Sequence, residues 1–180
     1  VENESPKVAK DYYGLILPLG TSYEPLVLSI LTLKPKKILF LHTSKTEALI
    51  DPVVENCALK TSDYRKRQVD EANPLQIYEK IKEAYIEWER GGLIALDFTG
   101  GTKSMAGGSA MAGAIIGADL FYIGNRNYLT DFRKPKPGSE YLCAIPNPYI
   151  GFGDLEAVKA LSLYEKMDYA GAALIFKDLQ

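Results

Sequence analysis

Two hydrophobic rhythms take turns along this chain. Tyr12-Tyr13-Gly14-Leu15-Ile16-Leu17-Pro18-Leu19 is a continuous apolar run, the mark of a strand covered on both faces. Gly20 permits a tight turn. Thr21-Ser22-Tyr23-Glu24 has the spacing of a capping box, and Pro25 suits a first helical turn. Leu26, Val27, Ile30 and Leu31 carry a helical stripe to Leu33, and Pro35 ends it. The second strand is Lys37 to Thr43, followed by a second capping box, Ser44-Lys45-Thr46-Glu47. The helix after it turns Ile50, Val53, Val54 and Cys57 inward. A weak third strand falls near Arg65 to Val69. Asn73 caps the next helix, with Pro74 first in it, Gln76 completing the box, and a stripe of Ile77, Ile81, Tyr85 and Trp88.

Leu93 to Phe98 is the fourth strand, and Thr99 to Ser104 turns into a helix of small residues, Thr102 to Ile116. Leu120 to Ile123 is the fifth strand. Asn125 to Gly138 is a polar loop carrying Arg126, Arg133, Lys134 and Lys136, and Tyr141 to Ile145 is the last strand. After Pro146-Asn147-Pro148 the character changes to two helices, one with Leu155, Val158, Leu161 and Tyr164 as its stripe, the other running from Ala170 to Leu179. Strand and helix in alternation predict an α/β fold: a Rossmann-like three-layer sandwich with a mainly parallel sheet, followed by a C-terminal helical hairpin. The expected division is 8–150 for the sandwich and 151–180 for the helices.

Composition narrows the function. The 180 residues are 47% hydrophobic and 24% charged, enough to fill a core. With 21 basic and 23 acidic residues the net charge is −2, which argues against sequence-independent binding of duplex DNA. Two cysteines, Cys57 and Cys143, supply neither a disulfide framework nor metal-ligand spacing, and with no signal peptide visible they suggest a cytoplasmic location. A start at Val1 and an end within a helical pattern at Gln180 suggest a piece of a longer chain. Ser104 to Gly124 is nearly uncharged over the roughly 20 residues of a membrane span. Its five glycines and Asp119 divide it into helix and strand instead, so no membrane partner is expected.

Parallel strands with right-handed crossovers end on one sheet edge, where ligands of open α/β sheets bind. The loops expected there hold Gly20, Thr21, Ser22, Thr43, Ser44, Lys45, Thr99, Gly100, Gly101, Thr102, Lys103, Asn125 and Arg126. Helix N-termini with free N–H groups, two adjacent glycines and a lysine suit an anion such as phosphate. Lysine in a first helical turn opposes the helix dipole, which points to an anion in front of it. Thr21, Ser44, Thr99 and Thr102 can equally be plain helix caps, each worth about 1 kcal/mol. Asp97 reads as a structural hydrogen-bonding residue, and His42, the single histidine, as a packed side chain. Neither the P-loop spacing nor a G-x-G-x-x-G turn is present. No catalytic residue, metal site or cofactor is assigned.

Asp97-Phe98-Thr99-Gly100-Gly101-Thr102-Lys103-Ser104-Met105 resembles the second signature of the CRISPR-associated Rossmann-fold (CARF) sensor domains, and Pro18 to Pro25 is similar to their first ligand loop. Tyr164-Glu165-Lys166-Met167-Asp168-Tyr169 resembles the connector that follows the sensor in one branch. The resemblance implies a homodimer that binds cyclic oligoadenylate, of four or six units, across its two-fold axis. It would control a fused effector, often a HEPN ribonuclease, in type III CRISPR antiviral defence. Gly20, Thr21, Thr99, Gly100, Gly101, Thr102 and Lys103 match family binding positions; Ser22, Thr43, Ser44, Lys45, Asn125 and Arg126 are assigned because they share the loop edge. A ring nuclease that slowly cuts its own ligand, or a sensor fused to a transcription regulator, are the other functions the resemblance allows.

Overall fold

The computed structural model describes residues 10–88, 91–129, 134–136 and 138–179. The expected boundary at residue 8 and the loop residue Arg133 lie outside them. The continuous apolar runs become the centre of a six-stranded sheet: β1 (Tyr12–Pro18), β2 (Lys37–His42), β3 (Tyr64–Gln68), β4 (Leu93–Asp97), β5 (Asp119–Asn125) and, after a short ribbon of β6 (Tyr128–Leu129) and β7 (Lys134–Pro135), β8 (Glu140–Ile145). Their order in the sheet is β3-β2-β1-β4-β5-β8. All neighbours are parallel except β5 and β8, which pair antiparallel, Leu120 opposite Ile145 and Asn125 opposite Glu140. The expectation that every strand ends on one edge therefore fails for β8: it follows β5 through a hairpin-like loop, and such a connection reverses direction.

Strand alternation sends side chains to two separate cores. Leu15, Leu17, Ile38 and Phe40 face α1 (Glu24–Leu33) and α2 (Ile50–Asn56). Ile16, Leu39, Leu41 and Leu96 face α3 (Pro74–Trp88) and α4 (Lys103–Ile115). The result is the α/β three-layer Rossmann-like sandwich. Edge strand β3 is half-exposed and rich in Lys and Arg, which discourages pairing with another chain.

Two helix starts differ from the capping-box expectation, both because of proline. With Thr21 as cap, Pro25 would occupy the fourth helical position, where an N–H must bond back; α1 instead starts at Glu24, with Pro25 in its first turn. With Ser44 as cap, Pro52 would lie deep inside the helix. A 3-10 turn at Glu47–Leu49 delays α2 to Ile50, which brings Pro52 into its first turn. Asn73 does cap α3, its Oδ1 accepting from the Gln76 N–H at 3.1 Å. Helix α4 needs its small residues: a Cβ on Gly113 would lie 2.8 Å from Leu120, and one on Gly108 would lie 3.3 Å from Pro74.

The chain divides into two units, Val1–Ile145 and Pro146–Gln180. The second holds the short α5 (Pro148–Gly151), α6 (Asp154–Glu165) and α7 (Tyr169–Asp178). Its buried side chains are Ala160 and Ala172, so α6 and α7 approach through small residues. Val158, Leu161 and Tyr164, of the stripe read from the sequence, are exposed. No helix among the described residues is long and apolar enough to cross a membrane.

Candidate ligand-binding site

The strand order reverses between β1 and β4, and the loops after these two strands meet there. This is where the crevice of a doubly wound sheet opens. They meet backbone to backbone. A Cβ on Gly100 would lie 2.1 Å from the Pro18 carbonyl oxygen, and one on Gly20 would lie 2.8 Å from the Gly101 nitrogen. Gly101 itself takes φ +84°, a left-handed conformation that favours glycine. Three of the glycines are thus required by packing and turn geometry. Their consequence for the site is that the amides of Gly100 and Gly101 make no hydrogen bond to another described residue.

Thr102 follows with an extended backbone and caps α4, its hydroxyl oxygen accepting from the Met105 N–H at 3.2 Å. The same hydroxyl donates to the Glu71 carbonyl at 3.2 Å, so the turn is tied to the loop before α3. Lys103, in the first turn of α4, is exposed. Thr99 is committed inward. Its hydroxyl donates to Asp97 Oδ1 and accepts from the Ile123 N–H at 2.6 Å. Asp97 is buried; its Oδ1 also accepts from the Thr99 N–H at 2.8 Å, and its Oδ2 from the Ser29 hydroxyl. Burial pushes its carboxyl above the usual carboxylate range, against the pull of these donors. Asp97 is a structural hub joining α1, β4 and the turn, as its residue type suggested.

Thr43 is another internal cap: its N–H donates to Thr46 Oγ1 at 3.1 Å and its hydroxyl accepts from the Lys45 N–H at 3.3 Å. Ser44 and Lys45 stand exposed beyond it. His42 is buried, with Nδ1 3.1 Å from the Thr43 carbonyl oxygen, which makes Nδ1 the donor.

Two adjoining clefts open on this edge. The first, about 410 Å³, is lined by Gly20, Thr21, Thr43, Lys45, Gly101 and Thr102, with Leu49 and Met105 on its apolar wall. The second, about 440 Å³, is lined by Thr43, Ser44, Lys45, Gln68, Asp70, Glu71 and Gln76. Glu71 lines both. Of the residues expected at the site, Ser22, Thr99, Gly100, Lys103, Asn125 and Arg126 line neither. Asn125 is exposed at the end of β5, and the Arg126 guanidinium lies over the Tyr141 ring, 5.6 Å from its centroid. Glu71, Gln68 and Gln76 were missed from sequence. Gln68 ends the weakest strand, β3, and Glu71 and Gln76 follow it; the polar composition of β3 hid the loop that it positions.

Fold and loops define a Rossmann-like domain whose switch-point crevice is lined by the unspent Gly101 amide, hydroxyls and a lysine. No family model matches the chain. The sequence is 28% identical over 166 residues to the CRISPR system endoribonuclease Csm6 of Thermus thermophilus, a match that covers 89% of this chain and 35% of the relative. The chain thus spans about a third of the length of that curated relative. Among solved structures it is similar to Enterococcus italicus Csm6 bound to cyclic hexa-2'-fluoro-hexa-dAMP, with a TM-score of 0.60 and 13% identity over 95% of this chain and 51% of that one. Can2 from Sulfobacillus thermosulfidooxidans, in complex with cyclic tetra-adenylate, has a TM-score of 0.56 and 18% identity over 63% of this chain and 32% of that one. A type III CRISPR defence DNA nuclease activated by cyclic oligoadenylate has a TM-score of 0.54 and 16% identity, covering 94% and 30%. At these identities the structures speak to the fold, which is shared. The chain thus shares the fold of these type III CRISPR proteins and is similar in sequence to one of them.

Proposed function

We propose that this chain is the sensor domain for cyclic oligoadenylate, and that two copies bind one ring across a two-fold axis to control a fused effector. The observation that carries this is the glycine turn at Gly100-Gly101: it lies at the switch point, at the N-terminus of α4, with amides unspent within the fold. Those amides and the helix dipole would hold a ring phosphate. Lys45 and Lys103 supply cations nearby, and Thr21, exposed at the cleft, a hydroxyl for ribose. A two-fold pair presents each of these groups twice, which matches the internal symmetry of a cyclic tetra- or hexa-adenylate.

The second copy would meet the outer face of α4. Lys103, Gly107, Met111 and Ile115 form one i, i+4 row, with Met111 66% and Ile115 44% exposed. The effector, for which a HEPN ribonuclease is a candidate, would lie beyond the helical unit. Titration calorimetry with cyclic tetra- and hexa-adenylate tests the central claim. Binding by the wild type, weakened about tenfold by Lys103→Ala, supports it. No heat with either ring overturns it.

A further inference from the structure

The two clefts share Thr43, Lys45 and Glu71, and the Lys45 ammonium lies 3.6 Å from Glu71 Oε1, so this ion pair stands on their boundary. We propose that Lys45 and Glu71 form a latch. A ring phosphate in the first cleft draws Lys45 out of the pair, and the freed Glu71 carboxylate accepts a hydrogen bond from the exocyclic amine of an adenine in the second. This rests on the reading above that the ligand is a cyclic oligoadenylate, and adds how its base is told from others.

The clefts differ in chemistry. Lys45 is the only cation among the described residues lining them. The second cleft carries two carboxylates, Asp70 and Glu71, which repel a phosphate, and two amides, Gln68 and Gln76. Carboxylate and amide side chains read base edges. Asp70 and Gln76 are already held in place: Asp70 Oδ1 accepts from the Ala72 N–H at 2.9 Å, and Gln76 Oε1 accepts from the Asp70 N–H at 2.6 Å. That leaves the Gln76 amide NH2 to donate to a ring nitrogen. Glu71 is the carboxylate without a backbone amide on it. Its own carbonyl is anchored by Thr102, so its side chain can swing while its backbone stays. Its partner is cheap to leave: the two side chains are 79% and 44% exposed, and exposed ion pairs contribute little.

The test compares cyclic oligoadenylate with the same ring carrying inosine, in which a carbonyl replaces the amine. The wild type is expected to prefer the adenylate ring by about tenfold. Glu71→Gln, whose amide can face either group, narrows this to within about threefold. Lys45→Met weakens both rings alike, because it acts through phosphate. Glu71→Ala, with no acceptor at all, also loses the preference. If both Glu71 variants keep the wild-type preference, or if the wild type binds the two rings equally, the latch is overturned while the sensor reading stands. If the wild type binds neither ring, the sensor reading falls and this one with it.

Discussion

Gly100 shows how closely packing and binding coincide at single residues. Its missing Cβ leaves room for the Pro18 carbonyl at a distance that no side chain tolerates, so Gly100→Ala forces two strand-end loops apart. A loss of roughly 2 to 4 kcal/mol is expected in urea unfolding, with ring binding weakened as well because the displaced loops carry the amides. Asp97 makes a different prediction. Its carboxyl is raised by burial, so the fold holds a proton there more tightly than the unfolded chain does. That contribution is present in full below the unfolded value and fades as pH rises through the folded one. Asp97→Asn removes this titration, so the variant should lose less stability than the wild type as pH rises from acid to neutral in melts. Asp97→Ala strands the donors of Ser29 and Thr99 and should cost about 3 kcal/mol or more. Asp97 was legible as structural because an aspartate ending a buried strand needs partners. The inward turn of Thr99 was not, since nothing in sequence tells a hydroxyl that faces a ligand from one that accepts from the adjacent strand.

At the scale of elements, apolar rhythm was enough to place β1, β2, β4 and β5, because strands covered on both faces need continuous apolar runs. Helix starts were less legible. Serine and threonine spacing suggested two capping boxes that proline overruled, and only the full count of N–H groups per turn shows why. The apolar stripe of α6 is not its packed face, since Ala160 lets the helices approach on their small side. Helix α4 carries the prediction that belongs here. Its inner face is fixed by Gly108 and Gly113, whereas Gly107 has open space around it and Met111 is exposed. Met111→Asp is expected to leave the melting temperature within a few degrees, to shift sedimentation toward the monomer, and to weaken ring binding in parallel. A dimer that survives the substitution would place the seam elsewhere.

For the whole molecule, charge sets the terms of binding. The chain carries a net −2, so the proposed polyanionic ring would be held by local cations against the average field. Affinity should therefore fall with salt. Two neutralised phosphates correspond to roughly sevenfold between 50 and 200 mM, and Lys45→Met should flatten that slope. A salt-independent affinity would mean that amides and hydroxyls alone hold the ligand. The site edge itself was legible before any motif, since strand alternation and right-handed crossovers dictate where the loops gather; the wall supplied by Glu71 was not, because it depends on which loop comes to lie beside the glycine turn.

The antiparallel last strand has one more consequence. Because Glu140 pairs with Asn125 and Ile145 with Leu120, the polypeptide leaves the sheet at the end remote from the crevice. In the sensor proposed above, news of an occupied crevice would be carried down the strands, over about 20 Å for six residues. A lone hinge at the mouth has no such reach, so in the proposed sensor the sandwich would work as a stiff pushrod, and softening its middle should uncouple arrival of the messenger from the response.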